Sequence, residues 1–305
     1  MFKIKGDQLR AQQLVELLRA AAVPGLVLQS GYVRLDGDTS DRLGACLREI
    51  IASDRAAQVD VNYTLPLGHF RDWQGLNVPD AVRINADAQG MGVAIAIHEI
   101  WENYISRTGT GKLGRYGPAH AAALLVEAEV AKELSGNEGS RVAAVQVGDG
   151  KAASFVLDYE QYFLMLNRRE PDDDPAQFSA AVKERRHVET IDIEGVAAGV
   201  RVDPGLVDTV ITKLNKRPAA TAQVTGLLAD DQDAEPARGR AQAVRSAIIV
   251  ALDADGYASD DGILLDEVDS RGEGADLGAR RAWTSAAAGV DGASTVRVEI
   301  WEPET

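Results

Sequence analysis

Apolar residues recur at helical spacing through DQLRAQQLVELLRAAAV (7–23), and Asp7 offers an N-cap side chain at its start. Pro24-Gly25 ends that helix. GLVLQSGYVRLDG then reads as two short strands around Ser30-Gly31, and TSDRLGACLREIIAS (39–53) as a second helix. AQVDVNYTLPL (57–67) alternates like a strand. This helix–strand–strand–helix–strand opening carries no internal repeat. Residues 68–90 are rich in turn formers, with AVRIN (81–85) expected as an edge strand.

MGVAIAIHEIWENYISR (91–107) is apolar first and periodic afterwards, which fits one helix. TGTGKLGRYG breaks it with glycines. PAHAAALLVEAEVAKEL (118–134) is a run of strong helix formers with Pro118 suited to the first turn. RVAAVQVGDGKAASFVLDY (141–159) reads as a hairpin turning at Asp149-Gly150. EQYFLMLNRR extends that hairpin or begins a helix. EPDDDP (170–175) is an exposed loop, a polar helix is expected from Ala176 to Arg186, and PGLVDTVITKLNKR (204–217) is a short helix.

LADDQDAEPARGR (228–240) turns polar and acidic and carries a proline, the composition of an interdomain linker. Beyond it AVRSAIIVALDADG and STVRVEIWEP read as strands, with DLGARRAWTSAAAG helical between them. The pattern predicts an α/β or α+β fold. A body over 1–227 is followed by the linker over 228–240 and a small α/β module over 241–305.

Composition narrows the class. Of 305 residues 45% are apolar, enough for a real core, and only 5% are aromatic, so Ala, Val, Leu and Ile must build it. A net charge of −15 argues against nucleic acid, which demands a basic surface, and against docking on anionic lipid. Between Asp230 and Asp276 thirteen Asp or Glu stand against four Arg. That acidic back third is a solvated surface, or a face for a basic protein partner.

Cys46 is the single cysteine, so no intrachain disulfide and no four-cysteine zinc cluster can form. Its amphipathic setting points to buried packing. The N-terminus has no apolar signal segment and no long apolar run follows, so a cytoplasmic place of synthesis is expected. Export by a machine that reads no such signal stays open.

Four histidines exist: His69, His98, His120 and His187. His98 and Glu102 are one helical turn apart, with side chains about 40° apart on one face, so both can reach one ion. Glu99 points about 100° away from His98. His120 opens the next helix, after a connection glycine-rich enough to fold back, and Glu127 follows on the same face. Two histidines and a carboxylate form a catalytic zinc ligand set that leaves a position for water. The alternative keeps the same residues as core, with His98 bonded to Glu102 and His120 satisfied at a helix N-terminus.

His69 beside Asp72 reads as a surface loop residue, and His187 after KERR as solvated. DADGYASDDG (253–262) has the look of a calcium loop, but Tyr257 takes a ligand position and Leu264 the place of the terminal Glu. There is no nucleophile elbow, phosphate loop or dinucleotide fingerprint.

IHEIWENY followed by PAHAAALLVEAEV resembles the active-site helix and third-ligand helix of zincin metallopeptidases, including compact ones that serve as bacterial toxins and effectors. The resemblance spans about 40 residues, Val93 to Lys132. The family pattern is His-Glu-x-x-His with a downstream Glu. His98 matches the first ligand and Glu99 the general base, while Glu102 stands in the place of the second histidine. The downstream ligand is His120, which restores the count with His and Glu exchanged, or Glu127.

The resemblance implies a zinc peptidase acting on protein or peptide. His98, Glu102 and His120 would hold the metal, Glu99 would move the proton, and Glu127 would orient His120. The reading from a different class is a non-enzymatic component or cargo of a larger assembly, in which both helices are core.

Overall fold

The computed structural model describes residues 1–21, 23–54, 57–62, 75–108, 116–147, 154–167, 178–197, 199–227, 234–252, 281–284 and 295–305. It is a mixed α+β fold, as the patterning predicts. The chain forms two compact units. One comprises Met1–Arg141, Gly148–Ser154 and Tyr159–Val182, and the other Val142–Val147, Phe155–Asp158 and Lys183–Thr305.

The first unit opens with β1 (Phe2–Lys5), a strand too short for its alternation to stand out in the sequence. Its alternation buries Phe2 and Ile4 and exposes Lys5. Then follow α1 (Gln8–Ala21), β2 (Leu26–Gln29), β3 (Tyr32–Leu35), α2 (Arg42–Ala52) and β4 (Ala57–Asp60), in the predicted order. The strands make a sheet in the order β2-β3-β1-β4, with β1 antiparallel to β3 and parallel to β4. Asp41 caps α2 by accepting from Gly44 N, and Cys46 lies inside at 1% exposure. Burial pushes its thiol up to about 11, consistent with a packing role.

Residues 81–85, expected as a strand, belong to α3 (Val78–Asp87). Asn77 caps this helix through Asp80 N, a proline fits its first turn, and Val78, Ala81 and Ile84 fall inward at a spacing of three. That spacing separates a helix from a strand, and so short an apolar run conceals it.

α4 (Met91–Thr108) and α5 (Tyr116–Ser135) match expectation closely and pack against each other. From Met91 to Tyr104 the described side chains of α4 are buried on nearly every face, which marks a central helix. Ala119, His120, Ala123, Val126, Glu127, Val130 and Ala131 form the inward face of α5. Asn103, buried on α4, accepts from the backbone of Gln58 at 2.9 Å and ties the helix to β4. Gly92 lets α4 approach α3, since a Cβ there would lie 2.0 Å from Ala81 O. Among the described residues no helix is long and apolar enough to cross a membrane. Within EQYFLMLNRR the strand β7 (Tyr162–Asn167) forms, so the described part extends the sheet and begins no helix.

In the second unit β5 (Ala143–Val147) and β6 (Ser154–Asp158) are neighbouring strands, as the hairpin reading requires, though Asp149 and Gly150 fall outside the described residues. β8 (Ser179–Ile193) replaces the polar helix expected to Arg186. Its Lys, Glu and Arg are helix formers, but from Arg185 to Ile193 it is paired antiparallel with β11 (Val296–Pro303). Tertiary pairing outweighs a weak local preference.

The predicted helix over 204–217 is a 3₁₀ turn, Pro204–Val207, leading into α6 (Asp208–Asn215). β9 (Thr221–Gly226) pairs with β11 on one side and with β10 (Ala282–Thr284) on the other. The described part of DLGARRAWTSAAAG is thus strand, not helix. α7 (Ala234–Leu252) takes up both the end of the expected linker and AVRSAIIVAL, which was expected as a strand. Its buried Ala237, Ala241, Val244, Ile248 and Leu252 keep helical spacing. The boundaries between the two units fall at 141/142, 147/148, 154/155, 158/159 and 182/183, and none lies within 228–240.

Candidate metal centre

α4 and α5 are both long, and each brings polar groups inward at fixed points. His98 and Glu102 project together from α4 because they are one turn apart. His120 lies near the start of α5, where the helix crosses them. Three donor atoms meet: His98 Nε2 to Glu102 Oε2 3.2 Å, His98 Nε2 to His120 Nδ1 3.2 Å, and His120 Nδ1 to Glu102 Oε2 3.1 Å. Ligands held tetrahedrally by a zinc-sized ion at about 2.0–2.1 Å stand about 3.3 Å apart. The triangle matches that spacing to within about 0.2 Å.

Burial sharpens the point. His98 is 0% exposed, Glu102 2% and His120 1%. The second oxygen of Glu102, Oε1, is buried with no hydrogen-bond partner. A buried carboxylate oxygen without a donor is costly, and a cation beside it would satisfy it. His98, Glu102 and His120 could therefore hold a metal ion. The donor set, two imidazole nitrogens and one carboxylate oxygen, suits zinc and its neighbours in the first transition row.

Charges are arranged around His98. Burial and the Arg141 guanidinium both lower its pKa, but Glu102 and Glu127 outweigh them and hold the ring up to about 9. Burial holds His120 down at about 4, against the pull of Glu102. Glu102 is lowered to about 2 despite its burial, because both histidines bond to it. Glu99 is half-buried, and desolvation raises its carboxyl to about 7.

Glu127 is not in the triangle. Its Oε2 lies 2.8 Å from His98 Nδ1, on the opposite edge of the imidazole from the other donors. The carboxylate expected to orient His120 contacts His98 instead. Arg141 Nη2 is 3.1 Å from the same oxygen and 3.3 Å from His98 Nε2, and the Tyr159 hydroxyl donates to Glu127 Oε1. Arg141 and Tyr159 are absent from the sequence reading. The signal that could have found them is the hairpin itself, whose ends at 141 and 159 must lie side by side.

The other histidines stay apart. His187 is exposed on β8, 3.0 Å from Thr190 Oγ1 and edge-on to Trp301. His69 with Asp72, and the acidic stretch 253–262, lie outside the described residues. Compared with known protein families, curated proteins and solved structures, the chain matches none.

Proposed function

We propose that this protein is a metal-dependent hydrolase, that the ion is zinc, and that the substrate is a protein or peptide. The observation that carries the reading is the buried triangle of His98, Glu102 and His120, with the other oxygen of Glu102, Oε1, buried and lacking a hydrogen-bond partner. The adjacency of Glu99 to His98 on α4 supports hydrolysis over mere storage of an ion.

His98, Glu102 and His120 would hold a divalent cation, which when bound would supply Lewis acidity for hydrolysis near neutral pH. Glu99 accepts a proton from the attacking water and passes it to the leaving amine, a role that needs one carboxylate free of ligation. The exchange of histidine for glutamate at position 102 is offset by His120, so the count of two nitrogens and one oxygen is preserved.

The test is elemental analysis of the purified full-length chain, after supplementation with zinc, repeated for His98→Ala. One ion per chain in the unmodified protein and none in the variant is the expected result. No metal in either would return α4 and α5 to the role of core helices.

A further inference from the structure

Glu127 is hydrogen-bonded at one oxygen and crowded at the other, where the close neighbours of Oε2 make no in-line hydrogen bond. Tyr159 donates its hydroxyl to Oε1, while Oε2 lies 2.8 Å from His98 Nδ1 and 3.1 Å from Arg141 Nη2. Glu127, Tyr159 and His98 are all 0% exposed and Arg141 is 5% exposed, so little water competes for these contacts. A carboxylate held this way cannot swing toward the donor triangle. It stays on the Nδ1 side of His98. An imidazole whose Nδ1–H donates a hydrogen bond to a carboxylate presents the Nε2 lone pair, and Nε2 is the atom facing Glu102 and His120.

Tyr159 is itself held in place. Gly139 has φ +116°, and a Cβ there would lie 2.2 Å from Tyr159 O, so the backbone passes too closely for any other residue. The ring stacks on Tyr162 with centroids 4.8 Å apart and planes 5° from parallel. The close backbone approach and the ring stack together hold the phenol in place.

We infer that Tyr159 is a positioning residue of the metal centre, acting through Glu127 to hold His98 in its ligating tautomer and orientation. Arg141, 3.1 Å from Oε2 of Glu127, holds that carboxylate from a second direction. The inference rests on the metal reading above.

Cobalt(II) is the probe, titrated into the full-length protein and followed by its ligand-field absorption. Tyr159→Phe keeps the ring and its stack and removes only the hydroxyl. It should bind one cobalt with affinity weakened about 10–100-fold and with shifted bands. Tyr162→Phe, which removes a hydroxyl from the same stack, should bind as the unmodified protein does. Equal weakening in Tyr162→Phe would assign the effect to packing and overturn the inference. Adding Tyr159→Phe to Glu127→Gln should cost nothing further, because the hydroxyl acts through the carboxylate. Unchanged affinity in Tyr159→Phe would overturn the positioning role and leave the metal reading standing. No cobalt in the unmodified protein would sink both. If Tyr159→Phe does not fold, Glu127→Gln decides: a similar weakening supports the relay and full affinity overturns it.

Discussion

His98 and Glu127 meet at 2.8 Å between α4 and α5, through the imidazole nitrogen that faces away from Glu102 and His120. One ring therefore stands between two carboxylates, and its two nitrogens have different tasks. Nδ1 lies against Glu127, while Nε2 faces Glu102 and His120 with Arg141 Nη2 3.3 Å away.

Substitutions should separate holding the metal from using it. Glu102→Gln should lose the ion, because a neutral amide is a poor zinc ligand. Glu99→Gln should retain it and lose activity on a peptide substrate by about 10²–10⁴-fold, the usual worth of a positioned base. Metal content and turnover, measured on the same preparations, check both. Equal loss of metal in the two variants would mean that the roles are assigned wrongly.

Metal uptake should depend on pH in a definite direction. With His98 held up to about 9, the empty centre at pH 7 carries a proton that the metal must displace from Nε2. Affinity should weaken as pH falls below 9, and about one proton should be released per ion at pH 7. Calorimetry in buffers of different ionisation enthalpy reads that proton directly, and a value near zero would contradict the arrangement.

The same shift governs the metal-free protein. A histidine raised from its ordinary 6.5 to about 9 contributes stability that is complete below 6.5 and gone above 9. Glu99, raised from 4.5 to about 7, acts in the same direction, but its share is lost between 4.5 and 7 and leaves the 6.5–9 range to His98. The melting temperature of the metal-free chain should therefore fall between pH 6.5 and 9. Saturating zinc should raise it, by the equivalent of about 2.7 kcal/mol at a hundredfold excess over Kd, and Glu102→Gln should abolish that gain.

Gly92→Ala tests the approach of α3 to α4. The added carbon would lie 2.0 Å from Ala81 O and 2.6 Å from Asn85 N, both backbone atoms of α3. Neither can yield by rotating a side chain. Thermal or urea denaturation should show a loss of about 1–3 kcal/mol, the common cost of overpacking. A variant as stable as the parent would show that the helices part freely.

Much of the centre was legible in the order of residues. The spacing of His98 and Glu102, and the strong α5 pattern that carries His120, needed only helical periodicity. Convergence of the two histidines needed the α4–α5 crossing, which periodicity does not specify. Glu127 was readable as a supporting group but not its partner, because whether it faces His98 or His120 depends on the rotation of α5 against α4. Arg141 and Tyr159 join from strand ends, where no short-range rule links them to a helix. The strand and helix exchanges at 81–85, 179–186 and 243–252 have one cause. Short apolar or charged runs suit both structures, and the partner decides.

The path of the chain carries a consequence for inheritance. Each compact unit is assembled from three separate stretches of chain, with 142–147 and 155–158 belonging to one and 159–182 to the other. A gene fragment ending at Arg141 would encode His98, Glu99, Glu102, His120, Glu127 and Arg141 yet omit Tyr159. No single recombination breakpoint can therefore hand on either unit whole. The two must be passed down together, and shuffling them as interchangeable modules would require several simultaneous joins.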